Sequence, residues 1–100
     1  MASYKKTKGN KFEKEVLTIL RENNVPSQRV VASGSVKEDS GDIIIGKGSE
    51  KYNIECKFHK TIPIAGLEKW KEDNDILIMR QNRDTAKVYM DLETFIRLII

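Results

Sequence analysis

The sequence predicts an α/β fold, in which helices flank a mixed β-sheet in the order α-β-β-β-α-β-β-α. Apolar residues recur every three to four positions near the start of the chain, which is typical of an amphipathic helix. Over residues 52–58 they alternate with polar residues, which is typical of a half-buried strand. The 100 residues are 39% hydrophobic and 33% charged, a composition that indicates one small globular domain over residues 1–100.

The first predicted element is a helix over residues 9–24, because four apolar side chains fall on one helical face: Phe12, Val16, Ile19 and Leu20. Pro26 ends it, since the residue before a proline avoids helical backbone. A short strand over 28–32 and a polar loop over 33–41 follow.

A hairpin is predicted next, with arms over 42–45 and 52–58 and a turn over 46–49. Strand alternation sorts the second arm into a core face with Tyr52, Ile54, Cys56 and Phe58, and an opposite face with Asn53, Glu55 and Lys57.

The remaining pattern predicts a short helix over 67–72, strands over 75–80 and 86–90, and a closing helix over 91–100. The closing helix is rich in apolar residues: Phe95, Ile96, Leu98, Ile99 and Ile100. Such a segment is either part of the core or a dimer surface. The pattern alone does not separate these two interpretations.

The cysteine and histidine content excludes an internal disulfide and a structural zinc site. The single Cys56 has no partner for an internal disulfide, and with the single His59 it falls short of a structural zinc site. We therefore expect a reducing, cytoplasmic setting. No apolar run approaches the roughly 20 residues that cross a bilayer, so neither secretion nor membrane insertion is expected.

Positive charge is concentrated at the start of the chain. The net charge is only +3, but residues 1–14 contain five lysines against one acidic residue. We expect residues 1–8 to form a flexible basic arm. Two interpretations stay open for it: a solvated segment that keeps the protein soluble, or a contact with nucleic-acid phosphates.

Three charged residues of the hairpin indicate a metal site beside an ammonium group. Asp42 opens the first arm, and Glu55 and Lys57 lie two positions apart on the non-core face of the second. Two carboxylates from adjacent strands suit Mg²⁺ or Mn²⁺. A lysine there can hold a phosphate and its attacking water, as phosphodiester cleavage requires. By spacing alone, a solvated glutamate–lysine pair is an equal alternative.

The hairpin resembles the D…(D/E)xK core of the PD-(D/E)xK nuclease superfamily, through Gly41-Asp42 and Ile54-Glu55-Cys56-Lys57. Three further segments are similar in order and spacing to the archaeal Holliday junction resolvases and their viral relatives: Lys8-Gly9-Asn10-Lys11-Phe12-Glu13, Arg29 and Ala32-Ser33-Gly34-Ser35. The resemblance covers about half of the chain. Gly41 stands where the superfamily name has a proline, and the loop over 36–40 looks shorter than in the archaeal enzymes.

This resemblance implies a restriction-endonuclease-like fold and a role for each matched residue. Glu13 becomes the third acidic member of the metal site, with Asp42 and Glu55 as the other ligands and Lys57 as the catalytic lysine. Arg29 and the loop residues Ser33, Gly34 and Ser35 correspond to family positions that contact DNA or shape the active site. The basic residues Lys5, Lys6, Lys8 and Lys11 are further candidates for DNA contact. Serine hydroxyls and backbone N–H groups are good phosphate donors.

The implied activity is that of a Mg²⁺-dependent endonuclease, with Mn²⁺ as a substitute and no small-molecule cofactor. It would bind branched DNA, place paired symmetric nicks in four-way junctions through a metal-activated water, and act as a C2 homodimer in the cytoplasm of a prokaryote or of a virus-infected cell. Two alternatives stay open: a related nuclease that cuts flaps, nicks or duplex DNA, and a non-catalytic nucleic-acid-binding module. The carboxylates favour an enzyme, because a binding module has no use for them against phosphates.

Three other residues have structural interpretations that compete with functional ones. Cys56 falls on the core face of its strand, where we expect packing and no nucleophilic role. Trp70 is expected to anchor the core, although it could stack on a base. A lone exposed histidine such as His59 rarely contacts a phosphate or assists a site.

Overall fold

The architecture is known from a computed structural model, which describes residues 4–30 and 42–100 and gives side chains from residue 11 onward. In chain order the elements are α1 (Tyr4–Glu22), β1 (Ser27–Arg29), β2 (Ile43–Lys47), β3 (Glu50–His59), α2 (Leu67–Lys71), β4 (Ile76–Gln81), β5 (Lys87–Met90) and α3 (Leu92–Ile99). The predicted order α-β-β-β-α-β-β-α is confirmed. A short 3-10 turn, Ile64–Gly66, precedes α2.

The five strands form one mixed sheet in which their spatial order is the same as their order in the chain. β1, β2 and β3 are antiparallel neighbours, β3 and β4 run parallel, and β5 is antiparallel to β4. The parallel step needs a crossover connection, which contains α2. The β2–β3 hairpin turns through Gly48 and Ser49, and Gly48 has a φ of +61°, which glycine adopts without steric cost.

One face of the sheet packs against α1. The buried cluster on this face contains Phe12, Val16, Ile43, Ile45, Tyr52, Ile54, Ile76 and Ile78. Ile43 and Ile54 are paired in the β2–β3 register and are fully buried. Asp42 directly precedes Ile43 and Glu55 directly follows Ile54, so these two residues lie beside the best-packed part of the hairpin.

The opposite face of the sheet carries Ile44, Leu77 and Met79, which are also buried. They lie across the sheet from Ile43 because successive side chains of a strand alternate. α2 contacts β3 and β4. The predicted alternation of β3 is confirmed: Tyr52 and Ile54 are buried and Cys56 and Phe58 pack against the α1-side cluster, while Glu55 and Lys57 occupy the other face.

The predicted start of α1 and the predicted end of β1 differ most from the structure. The first helix begins at Tyr4, five residues before the predicted start. Lysine is a good helix former, and the roughly 1 kcal/mol cost of a helical glycine at Gly9 does not end a helix that is anchored by its apolar face. The first strand covers Ser27–Arg29, not 28–32; residues 31 and 32 lie outside the described residues.

The closing helix only partly belongs to the core. Leu98 packs against the α1-side cluster and Thr94 is buried. The other apolar side chains of the segment are exposed: Phe95, Ile96, Ile99 and Ile100. A helix of this length presents only one stripe to the sheet, so the second stripe faces away. In the described ranges, no helix combines the length and apolar character needed to cross a bilayer.

Candidate active site

The candidate site lies at the end of the sheet where β1 ends and β2 begins. The backbone N–H of Val30 donates to the carbonyl of Asp42 at 2.9 Å, and the N–H of Asp42 donates to the carbonyl of Ile54 at 2.7 Å. The register of β2 and β3 ends at the pair Ile43 and Ile54, and Asp42 lies one residue before this pair. Asp42 is close enough to Glu55 for its negative charge to raise the pKa of that carboxyl group.

Asp42 is held in place by the backbone of the adjacent strand. Its Oδ2 accepts a hydrogen bond from the N–H of Cys56 at 2.8 Å. Glu13 reaches the same carboxylate from α1 and shares a side-chain hydrogen bond with it. Arg29, at the end of β1, contacts Glu13 with 3.4 Å between Nη2 and Oε2. Three elements separated in sequence thus meet at Asp42.

Glu55 has different neighbours. Its Oε2 lies 3.6 Å from the ammonium nitrogen of Lys57, and its Oε1 is 3.5 Å from Nδ2 of Asn74. Asn74 is buried, and its carbonyl accepts a hydrogen bond at 3.0 Å from the buried ammonium of Lys71. Sequence reasoning missed Asn74 because nothing in the pattern of residues 72–75 marks a contact with a strand about 20 residues earlier in the chain.

The site contains more negative charge than its own cations neutralise. Burial, and then the hydrogen bond and negative charge of Asp42, raise the pKa of Glu13 to about 7, although Arg29 opposes this shift. Burial and Asp42 also raise the pKa of Glu55, against the opposing effect of Lys57. Carboxyl groups that disfavour their charged form in this way are common where a protein gathers acidic groups for chemistry.

The carboxylates of Glu13, Asp42 and Glu55 are not arranged to coordinate one metal ion. Among the described residues, no group of three or more His, Cys, Asp and Glu side chains is arranged to hold a metal ion. Asp42 accepts a hydrogen bond from the N–H of Cys56, and Glu55 contacts Lys57 and Asn74. The donors themselves fit Mg²⁺ or Mn²⁺, since these ions prefer carboxylate oxygens. A divalent cation would also offset the negative charge of Asp42, which together with burial raises both pKa values.

The predicted DNA contacts are only partly covered by the structure. Lys11 is exposed on α1, where a phosphate could reach it. Arg29 is half-exposed and engages Glu13, so it lies at the margin of the carboxylate group. Lys5, Lys6 and Lys8 fall on helical backbone without described side chains, and Ser33, Gly34 and Ser35 lie outside the described residues.

Cys56, His59 and Trp70 can now be assigned to their surroundings. Cys56 packs against the core cluster, as predicted, and burial raises the pKa of its thiol, which does not favour a nucleophile. His59 follows Lys57 on the same strand face, and its ring stacks on Trp70 with 4.4 Å between centroids. Trp70 therefore packs against His59 and is not part of the buried cluster.

The chain is similar to known proteins in sequence pattern and in fold. A protein-family model described as archaeal Holliday junction resolvase (hjc) matches residues 4–92. Among solved structures, the fold is similar to that of Hjc from Archaeoglobus fulgidus, described as a Holliday junction resolvase from an archaeal hyperthermophile. The TM-score is 0.61 at 20% identity, over 82% of this chain and 76% of that chain. No curated protein matches the sequence. The family match spans most of the chain, and the chain therefore belongs to the archaeal Holliday junction resolvase (Hjc) family.

Proposed function

We propose that this protein is a metal-dependent DNA endonuclease that resolves four-way junctions by paired symmetric nicks. The single observation that carries the proposal is the meeting of Glu13, Asp42, Glu55 and Lys57 at one end of the sheet. Membership of the Hjc family supports both the hydrolytic chemistry and a branched DNA substrate.

Asp42, Glu55 and Glu13 would hold the divalent cation, which supplies a Lewis acid and lowers the pKa of water when bound. Asp42 is suited to this role because the N–H of Cys56 fixes its carboxylate. Glu13 is partly protonated near neutral pH, since its pKa is about 7. Its loss of a proton would therefore accompany assembly of the site.

Lys57 would bind the scissile phosphate. Its ammonium lies on the same strand face as Glu55 and is about one-third exposed, so a phosphate oxygen could approach it from solvent. Because negative charge builds up on the phosphate in the transition state, a fixed ammonium stabilises that state more than the ground state. Asn74, which contacts Glu55 from the loop after α2, would keep the carboxylate turned towards the site.

The DNA would be held mainly through its phosphates. Lys11 and the lysines of the first helical turns, with Arg29 and the loop residues Ser33, Gly34 and Ser35, would contact the backbone near the site. Such contacts release counterions, so affinity should fall steeply with salt. Two symmetric cuts require two sites, which a C2 homodimer provides.

The test is gel cleavage of a labelled immobile four-way junction, run beside matched duplex, flap and nicked DNA, with Mg²⁺, with Mn²⁺ and with EDTA. We expect symmetric cuts in the junction that depend on the metal. The matched protein control is Lys57→Met, which removes the ammonium with little change in side-chain length; junction binding should persist while cleavage is lost.

Each alternative has its own outcome in the same assay. Equal cutting of flap, nicked and duplex DNA would indicate a nuclease without junction selectivity. Metal-independent binding with no cutting of any substrate would contradict the enzymatic proposal and favour a nucleic-acid-binding module.

A further inference from the structure

A buried lysine lies in the turn that connects α2 to β4. Lys71 is 7% exposed and Asn74 is 4% exposed, although lysine is almost never buried without a partner. The ammonium of Lys71 donates to the backbone carbonyl of Asn74 at 3.0 Å. The carboxylate of Glu68 is 67% exposed and lies 4.0 Å away, so the carbonyl of Asn74 is the closer partner.

Further hydrogen bonds link Lys71 and Asn74 in the other direction. The backbone N–H and the side-chain amide of Asn74 both donate to the carbonyl of Lys71 at 3.0 Å. Asp75 joins the turn to β3: its carboxylate accepts from the N–H of Asn53 at 2.8 Å, and its own N–H donates to the carbonyl of Asn53 at 3.0 Å. The turn is therefore fixed to the strand that carries Glu55.

The backbone of this turn is strained at Glu72. Glu72 has a φ of +53° and a ψ of −132°, which is the conformation of the second residue in a type II′ turn, a position that favours glycine. A glutamate persists in this conformation only where its surroundings fix it, and residues held in this way cluster at functional sites. The hydrogen bonds between Lys71 and Asn74 span Glu72 and provide that restraint.

The shape of the turn places an amide group beside the candidate site. Nδ2 of Asn74 carries two hydrogens; one bonds the carbonyl of Lys71 at 3.0 Å, which leaves the second for Oε1 of Glu55, 3.5 Å away. Because this distance is at the long limit of an N–H···O hydrogen bond, a small displacement of the turn decides whether Asn74 orients the carboxylate. The contact with Glu55 therefore depends on the bonds that fix the turn.

We propose that Lys71 is a positioning residue of the candidate active site, whose buried ammonium fixes the turn that holds the amide of Asn74 against Glu55. The inference deepens the proposed function, and it rests on that function for the role of Glu55 as a metal ligand. Groups that orient a metal ligand contribute about ten- to a hundredfold to metal affinity. Lys71 thus acts on the metal site through Asn74 and does not contact the metal.

The first experiment measures Mg²⁺ affinity from the melting temperature of the full chain over a Mg²⁺ titration. Lys71→Met removes the ammonium with little change in side-chain length and should raise the Mg²⁺ dissociation constant about tenfold. Loss of a positive charge alone would favour a cation, so weaker binding cannot come from charge. The matched control is Lys69→Met, because Lys69 is exposed on the same helix; its Mg²⁺ affinity should equal that of the unaltered chain. Equal affinity of Lys71→Met and the unaltered chain would overturn the proposal.

A double-mutant cycle separates positioning from general support of the fold. Asn74→Ala removes the amide and keeps the carbonyl that Lys71 contacts. If Lys71 acts through this amide, the double variant should bind Mg²⁺ no more weakly than Asn74→Ala alone, whereas losses that add would contradict the proposal. The cycle is repeated in Glu72→Gly, where glycine relieves the strain of the positive φ, so that poor folding of Lys71→Met does not decide the outcome.

The metal-free protein provides a readout that does not depend on activity. In the ¹⁵N-labelled chain, the side-chain amide resonance of Asn74 is identified by its absence from Asn74→Ala. It should shift in Glu55→Gln and in Lys71→Met, and it should stay unchanged in Lys69→Met. An unchanged resonance in Lys71→Met would exclude the positioning role.

These measurements distinguish failure of the inference from failure of the proposed function. A chain that loses Mg²⁺ affinity in Lys71→Met but cuts no DNA would keep the positioning role and contradict the endonuclease. A chain that cuts junctions, and in which Lys71→Met cuts at the unaltered rate in limiting Mg²⁺, would keep the function and contradict the positioning role.

Discussion

At one end of the sheet, Glu13 and Glu55 lie partly buried beside Asp42, and the pKa of each is raised. In the turn between β4 and β5, Asp84 accepts hydrogen bonds from the Lys87 ammonium at 2.9 Å and from the N–H of Thr85 at 2.8 Å, and its pKa is lowered. The hydrogen-bond donors beside Asp84 thus stabilise its charged form. At Glu13 and Glu55, the cations Arg29 and Lys57 do not outweigh burial and the charge of Asp42. A bound cation would therefore stabilise the charged forms of the site carboxylates.

The largest expected difference between the two regions is catalytic. Asp42→Asn and Glu55→Gln should each reduce junction cleavage by at least roughly a thousandfold, because each removes a negative charge that the proposed metal site requires. Junction binding should be unchanged or tighter, since less negative charge faces the phosphates. Cleavage rates and gel-shift titrations check both parts.

Asp84→Asn is the control for these variants, as it makes the same chemical change in a carboxylate that lies outside the site. It should cut at the unaltered rate. Cleavage at the unaltered rate by Asp42→Asn would show that the assignment of the site is wrong.

The next effect is stabilisation by metal. A cation that binds only the folded state raises the free energy of unfolding, by about 2.7 kcal/mol at a hundred times its dissociation constant. Thermal unfolding in Mg²⁺ and in EDTA should therefore differ by several degrees for the unaltered chain. Asp42→Asn should lose this difference, and Asp84→Asn should keep it. An identical melting temperature with and without metal in the unaltered chain would contradict the proposed ligand set.

A smaller effect should appear in the pH dependence of the free energy of unfolding, measured without metal. The pKa of Glu13 rises from 4.5 to about 7 on folding, so the folded state binds the proton more tightly. The contribution of Glu13 to stability therefore decreases as the pH rises from about 4.5 to about 7. Glu13→Gln should remove this part of the pH dependence. Denaturant titrations in EDTA across this pH range measure it, and an unchanged profile would contradict the prediction.

The smallest effect is expected at Asp84, and its sign is opposite. A lowered pKa means that the ionised carboxylate stabilises the fold at neutral pH, and that this contribution is lost as the pH falls through the folded pKa. Asp84→Asn should be slightly less stable than the unaltered chain at neutral pH and should approach it in acid. The same titrations detect this, and a difference that grows in acid would contradict the assignment of the ion pair.

Much of the fold could be predicted because its signals are local. The alternation over 52–58 correctly separated Glu55 and Lys57 from Tyr52 and Ile54, and Gly48 lies in the turn of the predicted hairpin. The start of α1 was placed too late, at residue 9 where the helix begins at Tyr4, since intrinsic propensity at a helix end is weak and nothing local marks Tyr4 as the boundary.

The sequence by itself determined the order of elements and the faces of β3, because strand and helix periods are properties of neighbouring residues. Only the tertiary structure decided that Glu13 meets Asp42, that Asn74 reaches Glu55, and that the apolar stripe of α3 faces outward. These outcomes depend on how distant segments pack. An amphipathic pattern is the same whether its apolar side meets the core or a second molecule. The sequence around a carboxylate likewise does not show which charged groups the fold will bring beside it.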